Sequence, residues 1–320
     1  MKISIKRIFY LLMKPRGFTL VEMSIVLLII GLAIGMLLPL SSAMVDSQKR
    51  QTVRTTLSTI DAALVNYVAQ NQRLPCPANG TIASGQPNAG VAIILPSGLC
   101  SPAPSNQASG VVPWATLGLP ESAATDPWNA RITYRVFPPL AMIPPALSFP
   151  TLMNMSACDP AGSAGSQPIT CTGFGAATGC TQCTSSTGAV CTTATLTTNC
   201  VAPTPYLANK GLPVSDGNGN WLNQPSAGTG AAYVTISAGP SGRGAYNSAG
   251  NLQPGTAPAG ANELLNLNNT ALMTGSGLAQ SYRDAPLNDR QTAVHFDDYL
   301  SHPTVITVLQ NANLGPRLHQ

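Results

Sequence analysis

A single acid heads the most apolar stretch of this chain. From Met23 to Val45 no residue is charged, and Glu22 stands immediately before that run. A carboxylate at mid-bilayer costs about 2.5–3.5 kcal/mol on insertion scales, somewhat less near the bilayer edge, so a Glu here calls for a partner. A second reactive set is the eight cysteines: Cys76, Cys100, Cys158, Cys171, Cys180, Cys183, Cys191 and Cys200. An even count in an exported chain points to disulfides, with a connectivity that sequence does not choose. Cys180-Thr-Gln-Cys183 has the spacing of a zinc or redox motif. No His lies near it and no thioredoxin-like βαβ pattern surrounds it, so structural disulfides are the favoured reading.

The three histidines are His295, His302 and His319, and the first two flank Asp297 and Asp298. Their spacing matches no zinc motif; exposed C-terminal histidines and a solvated or capping acidic pair are the expectation. No Ser-His-Asp arrangement, nucleotide-phosphate loop or paired-carboxylate site stands out. Gly239-Pro-Ser-Gly242-Arg-Gly244 is glycine-rich, but Pro240 removes a donor and no helix signal follows, so it reads as a turn. The chemistry on offer is structural, and no enzyme is expected.

The elements that hold these residues follow from composition and periodicity. Only 9% of the 320 residues are charged, and Gly plus Pro number 29 and 28. Those values exclude a coiled coil, a basic nucleic-acid packer and a charge-rich disordered tail. The net charge of +4 sits at one end. Residues 1–17 carry Lys2, Lys6, Arg7, Lys14 and Arg16 and no acid, which leaves the rest slightly acidic and argues against nucleic acid as a partner. Phe18 to Pro39 spans 22 residues, about 33 Å as helix, matching a bilayer core of about 30 Å. The cationic flank places the leader in the cytoplasm and the rest across the membrane. Gly31, Gly35 and Pro39 recur every four residues. Gly31-Leu-Ala-Ile-Gly35 permits close helix approach, and Pro39 weakens the helix at Gly35.

Residues 41–72 continue as an amphipathic stalk helix, with Val53, Leu57, Ile60, Leu64, Tyr67 and Val68 at spacings of mostly three and four. Leu74-Pro75 marks its end. Beyond it, Val91–Leu95, Arg131–Phe137 and Ala232–Ser237 read as strands and Ala261–Asn268 as a short helix. Val305–Leu309 looks like a strand and Phe296–Leu300 like a helical turn. Residues 156–203 are rich in Thr, Ser, Gly and Ala and hold six of the cysteines. They read as an insertion stapled covalently, because too few large apolar side chains are present to fold by burial. Cys76 and Cys100 lie outside it, placed to close a loop near the stalk end. The expected architecture is α+β: a long N-terminal helix packed on a small antiparallel sheet domain, residues 73–155 and 204–320, with a Cys-rich loop insertion.

The run Gly17-Phe18-Thr19-Leu20-Val21-Glu22, after a cationic leader and before an uncharged helix, resembles the signal of type IV pilins and of the pseudopilins of type II secretion. The resemblance implies cytoplasmic cleavage between Gly17 and Phe18 by a prepilin peptidase, removing residues 1–17, and N-methylation of Phe18. It implies a single-pass inner-membrane protein, residues 18–40 forming the membrane and assembly segment, with its C-terminal domain in the periplasm. Its partners would be other pilin or pseudopilin subunits, the inner-membrane assembly platform and its ATPase. Glu22 would pair with the Phe18 amine of a neighbouring subunit in the filament. Related filament subunits lose helicity between a Gly and a Pro placed like Gly35 and Pro39. Asp126-Pro-Trp128-Asn129 is similar to an Asp-Pro-Trp-Gly run of major pseudopilins, with Asn129 in place of the Gly. Some pseudopilins bind calcium near their C-terminal loops, which makes Asp297 and Asp298 calcium candidates; no other cofactor is implied. The large chain and its insertion favour a minor subunit. The alternative is a tip adhesin or substrate-binding module on a pilin-type anchor.

Overall fold

In a computed structural model of the chain, the described residues are 19–71, 73–94, 100–101, 109–137, 211–256, 260–268, 281–289 and 293–313. The chain divides into two compact units, residues 1–51 and 52–320. The first element is α1, Leu20–Asn71, a helix of 52 residues. It runs unbroken through Pro39 in the single chain. No Gly or Pro follows until Pro75, which lets the helix propagate to Asn71.

In the second unit, the stripe Val53, Leu57, Ile60, Leu64 and Val68 is buried in one apolar core with Val111, Val112, Ile132, Tyr134, Val136 and Tyr233. Asp61 lies beside that stripe and accepts hydrogen bonds from Tyr233 Oη (2.9 Å) and from Ser301 Oγ. Burial pushes its carboxyl above the ordinary value, and the Ser301 and Tyr233 hydrogen bonds oppose that rise.

The strands are short. β1 (Ala78–Asn79), β4 (Gly110–Val111), β5 (Thr133–Val136), β8 (Tyr233–Ser237) and β10 (Tyr299–Ser301) form a five-stranded sheet in the order β1-β4-β5-β8-β10. Every pairing in it is antiparallel. Its longest ladder joins β5 and β8, from Thr133 opposite Ile236 to Val136 opposite Tyr233. Both strands are buried along their whole length, Arg135 included, and its guanidinium donates to Gly110 O at 2.8 Å. β2 (Ile93–Ile94) and β3 (Cys100–Ser101) make a two-stranded antiparallel sheet, and Cys100 is joined to Cys76 by a disulfide.

A third sheet was not legible in the sequence. It orders β7 (Trp221–Asn223), β6 (Val214–Asp216) and β9 (Tyr282–Asp284), with β6 and β9 parallel. Two elements differ from expectation near the C-terminus. Val305–Leu309 belongs to a helix, α3 (Val305–Asn311), and Tyr299–Ser301 is the strand β10 rather than helical. Thr304 explains the switch: its Oγ1 accepts from Thr307 N at 3.1 Å and starts the helix. Val305, Val308 and Leu309 then share its buried face.

Phe137 N–H donates to Ala232 O at 3.0 Å, and Leu212 exchanges backbone hydrogen bonds with Ala231. The chain thus leaves β5 and returns at adjacent residues. The proposed insertion 156–203 lies outside the described residues.

Candidate functional site

Two places gather the residues singled out above. At the head of α1, Thr19 N–H donates to Glu22 Oε2 at 2.9 Å and Thr19 Oγ1 donates to the same oxygen at 3.0 Å. Glu22 N–H donates in return to Thr19 Oγ1 at 3.2 Å. Thr-x-x-Glu is a capping box, which satisfies N–H groups that a helix start leaves without partners. Glu22, expected to wait for an amine, is therefore already engaged within the single chain. Gly17 and Phe18 lie outside the described residues. Downstream, large apolar side chains point to solvent, among them Leu20 (87% exposed), Leu27 (65%) and Leu28 (67%). A Cβ added at Gly31 or Gly35 would meet nothing within 4 Å, so these glycines admit close approach from outside the chain. Among the described residues no helix is long and apolar enough to cross a membrane; Ala33 and residues 36–43 of the apolar run have side chains outside that set.

The second place surrounds α2 (Ala261–Asn268), the short helix expected from the sequence. Its first turn carries Glu263, whose Oε2 accepts from Gly260 N–H at 3.2 Å and lies 2.9 Å from His295 Nδ1. Asp297 accepts from Ser241 N–H at 2.7 Å and lies 3.0 Å from Ser241 Oγ. Ser241 Oγ also lies 3.3 Å from Glu263 Oε1. Ligand atoms of Glu263, His295 and Asp297 all fall within 4.8 Å of one another. The 239–244 segment is a turn, as expected. Gly239 there has a φ of +55°, and a Cβ on it would strike the Asp297 backbone.

Burial corrects two expectations. His295 is 5% exposed and Asp297 2% exposed, so neither is a solvated surface group. Burial pushes the Asp297 carboxyl up, the Ser241 hydrogen bonds oppose the rise, and the Glu263 carboxylate adds to it. Asp298 is also buried, but faces elsewhere: its Oδ2 accepts from Asn266 Nδ2 at 2.8 Å. Burial raises its carboxyl well above the ordinary value. Asp297 and Asp298 thus have different partners. Of the two calcium candidates, Asp297 alone joins a group of possible ligands, with Glu263 and the His295 imidazole. His302 Nε2 lies 3.2 Å from Asp284 Oδ2, and His319 lies outside the described residues.

Of the cysteine candidates, Cys76 and Cys100 are bonded to each other; Cys158, Cys171, Cys180, Cys183, Cys191 and Cys200 lie outside the described residues. The Asp126 turn is built around Asn129, the residue standing in place of the Gly. Asn129 takes a left-handed φ of +65°, which Asn tolerates better than other side chains. Asp126 Oδ1 accepts from Trp128 N–H and Ala130 N–H, both at 2.9 Å, and Oδ2 accepts from Ser237 Oγ at 2.7 Å.

Sequence reasoning missed Glu263, Ser241 and Arg131. Arg131 is buried and pairs with Glu121 Oε1 at 2.8 Å. It also donates to Gly80 O, Ile82 O, Ser84 Oγ and Ser248 O, and its guanidinium stacks over Trp114. The available signal for Glu263 was an acid in the first turn of an otherwise uncharged helix, ANELLNLN. No characterised protein and no solved structure matches the chain. A family model, the prokaryotic N-terminal methylation motif, does match, over residues 12–38. That stretch covers the Gly17–Glu22 run and the apolar head of α1, so the chain carries the signature of type IV pilin and pseudopilin prepilin-like proteins.

Proposed function

We propose that the chain is a prepilin, cut between Gly17 and Phe18, N-methylated at Phe18, and built as a minor subunit into a type IV pilus or a type II secretion pseudopilus. The observation that carries this reading is the methylation motif of residues 12–38 at the head of a helix whose large apolar side chains lie exposed. A motif of this kind indicates a structural, pilin-type protein that assembles with other pilin subunits. Exposed apolar surface on that scale needs cover, from lipid in storage and from sister helices in a fibre. The stripe Val53–Val68 offers no competing surface, because it is already buried. In this reading residues 18–40 are held in the inner membrane, the C-terminal unit is periplasmic, and the peptidase, the assembly platform and its ATPase act in turn.

Glu22 changes partners along that route. In the single chain its carboxylate serves Thr19. In the fibre it takes the charged Phe18 amine of a neighbour, and low dielectric makes an unpaired member of that couple costly. Gly31 and Gly35 let neighbouring helices close on one another.

Intact-mass measurement of the assembled protein tests this. The expected result is loss of residues 1–17 and one added methyl on Phe18; a fibre subunit that keeps Met1 overturns it. Glu22→Ala should be cleaved normally yet enter fibres about tenfold less or worse, and undiminished incorporation would rule out the pairing role.

A further inference from the structure

Beside α2, buried carboxyl groups outnumber the cation-forming groups that face them. Glu263 and Asp297 are each 2% exposed, and Asp298, 5% exposed, adjoins them in sequence. Among the described residues, the only cation-forming group paired with any of the three is His295. Proton donors also run short. Ser241 Oγ lies within hydrogen-bonding distance of Asp297 Oδ1 (3.0 Å), Glu263 Oε1 (3.3 Å) and Ala238 O (3.2 Å). A hydroxyl carries one proton, so it satisfies one acceptor at a time. With both acids ionised, and among the described residues, these two carboxylate oxygens have no other donor, so one of them is left without a proton to accept. A buried carboxylate oxygen in that condition carries a desolvation cost that a cation would remove.

From this juxtaposition we infer that Glu263, His295 and Asp297 form a buried site for a borderline divalent cation of the zinc class. The donor set selects the ion. One imidazole nitrogen and two carboxylate oxygens are ligands that Zn²⁺ takes readily, while calcium and magnesium favour oxygen-only shells. The three ligands come from two separate stretches: the first turn of α2 gives Glu263, and the segment 295–297 that precedes β10 gives His295 and Asp297. The cation would clip α2 to the central sheet. Ser241 is a positioning residue, because it orients the Asp297 carboxylate from both its N–H and its hydroxyl.

The inference is independent of the filament reading, since metal content is measured on the single chain. Full-length protein in detergent, equilibrated with micromolar ZnCl2 and dialysed, should retain about one zinc per chain by elemental analysis. CaCl2 in place of ZnCl2 should leave no calcium bound. Protein loaded with CoCl2 should show the visible absorption of cobalt with nitrogen and oxygen ligands, a readout that needs no variant. His295→Gln and Asp297→Asn should each weaken zinc binding about 100-fold, and Ser241→Ala about tenfold. Wild-type protein that retains no zinc and gives no cobalt spectrum overturns the inference and leaves a carboxylic acid–carboxylate pair sharing a proton. Zinc retained equally by folded His295→Gln overturns it too.

Discussion

Glu22 and Glu263 occupy the same helical position and meet opposite fates. Each stands in the first turn of a helix and reaches back to the backbone N–H three residues earlier, Thr19 for one and Gly260 for the other. Around Glu22 the rest of the carboxylate faces open space, beside apolar side chains that are themselves exposed. Around Glu263 the space is filled by Ser241, His295 and Asp297. The reach back to a backbone N–H is common to both, and only Thr19 adds a side-chain hydroxyl to it. What the remaining lone pairs do is decided by enclosure: an open capping acid is free to recruit a partner from another molecule, whereas an enclosed one must find its partners within the chain.

If enclosure separates the two regions, the damage caused by a substitution should follow it. Arg131→Ala should cost the most, about 3–5 kcal/mol of stability in the second unit, because a buried guanidinium leaves Glu121 and three carbonyls behind. Urea denaturation reads the loss, while cleavage at Gly17–Phe18 should proceed as in wild type. Failure of cleavage would mean that the two regions are not separable. Glu263→Ala should come next, at about 2–4 kcal/mol, from stranding the Gly260 N–H and the His295 ring. The matching Glu22→Ala should leave the melting temperature of the second unit unmoved. Equal shifts for the pair would erase the distinction drawn here. Asn129→Val should cost about 1–2 kcal/mol, since a β-branched residue resists a left-handed φ, and Asn129→Gly should cost little. The smallest effect is a slope. Asp61 has a folded-state carboxyl raised above its ordinary 3.8, chiefly by burial. Its contribution to stability is present in full below the unfolded value and is lost as pH rises through the folded one. Asp61→Asn should flatten the pH profile of stability over that window, and an unchanged profile would show that burial does not govern this acid.

The parts legible in the sequence were those whose signal is local. The spacing of Val53, Leu57, Ile60, Leu64 and Val68 announces a helix with one buried face, and the uncharged run after Glu22 announces an apolar one. Ala261–Asn268 and the β5 and β8 strands were also readable, from apolar periodicity and from β-branched runs between turn residues. The stretch Val305-Ile-Thr-Val-Leu309 fits a strand and a helix equally well by composition, and only the cap at Thr304 decides between them. The pocket was illegible for a different reason. Glu263 stands 32 residues from His295, and Ser241 stands 56 residues from the aspartate it holds. His295 reads as a surface residue until the turn of residues 239–244 is folded over its neighbour Asp297.

The hydrogen bonds of Phe137 to Ala232 and of Leu212 to Ala231 have a wider consequence. Phe137 and Leu212 are thus tied to Ala232 and Ala231, consecutive residues just before β8. For chain closure alone, each doubling of the length between two such fixed ends costs about 0.6 kcal/mol. A change of length between them is therefore expected to leave the β5–β8 ladder in place, read as a melting temperature of the second unit that hardly moves.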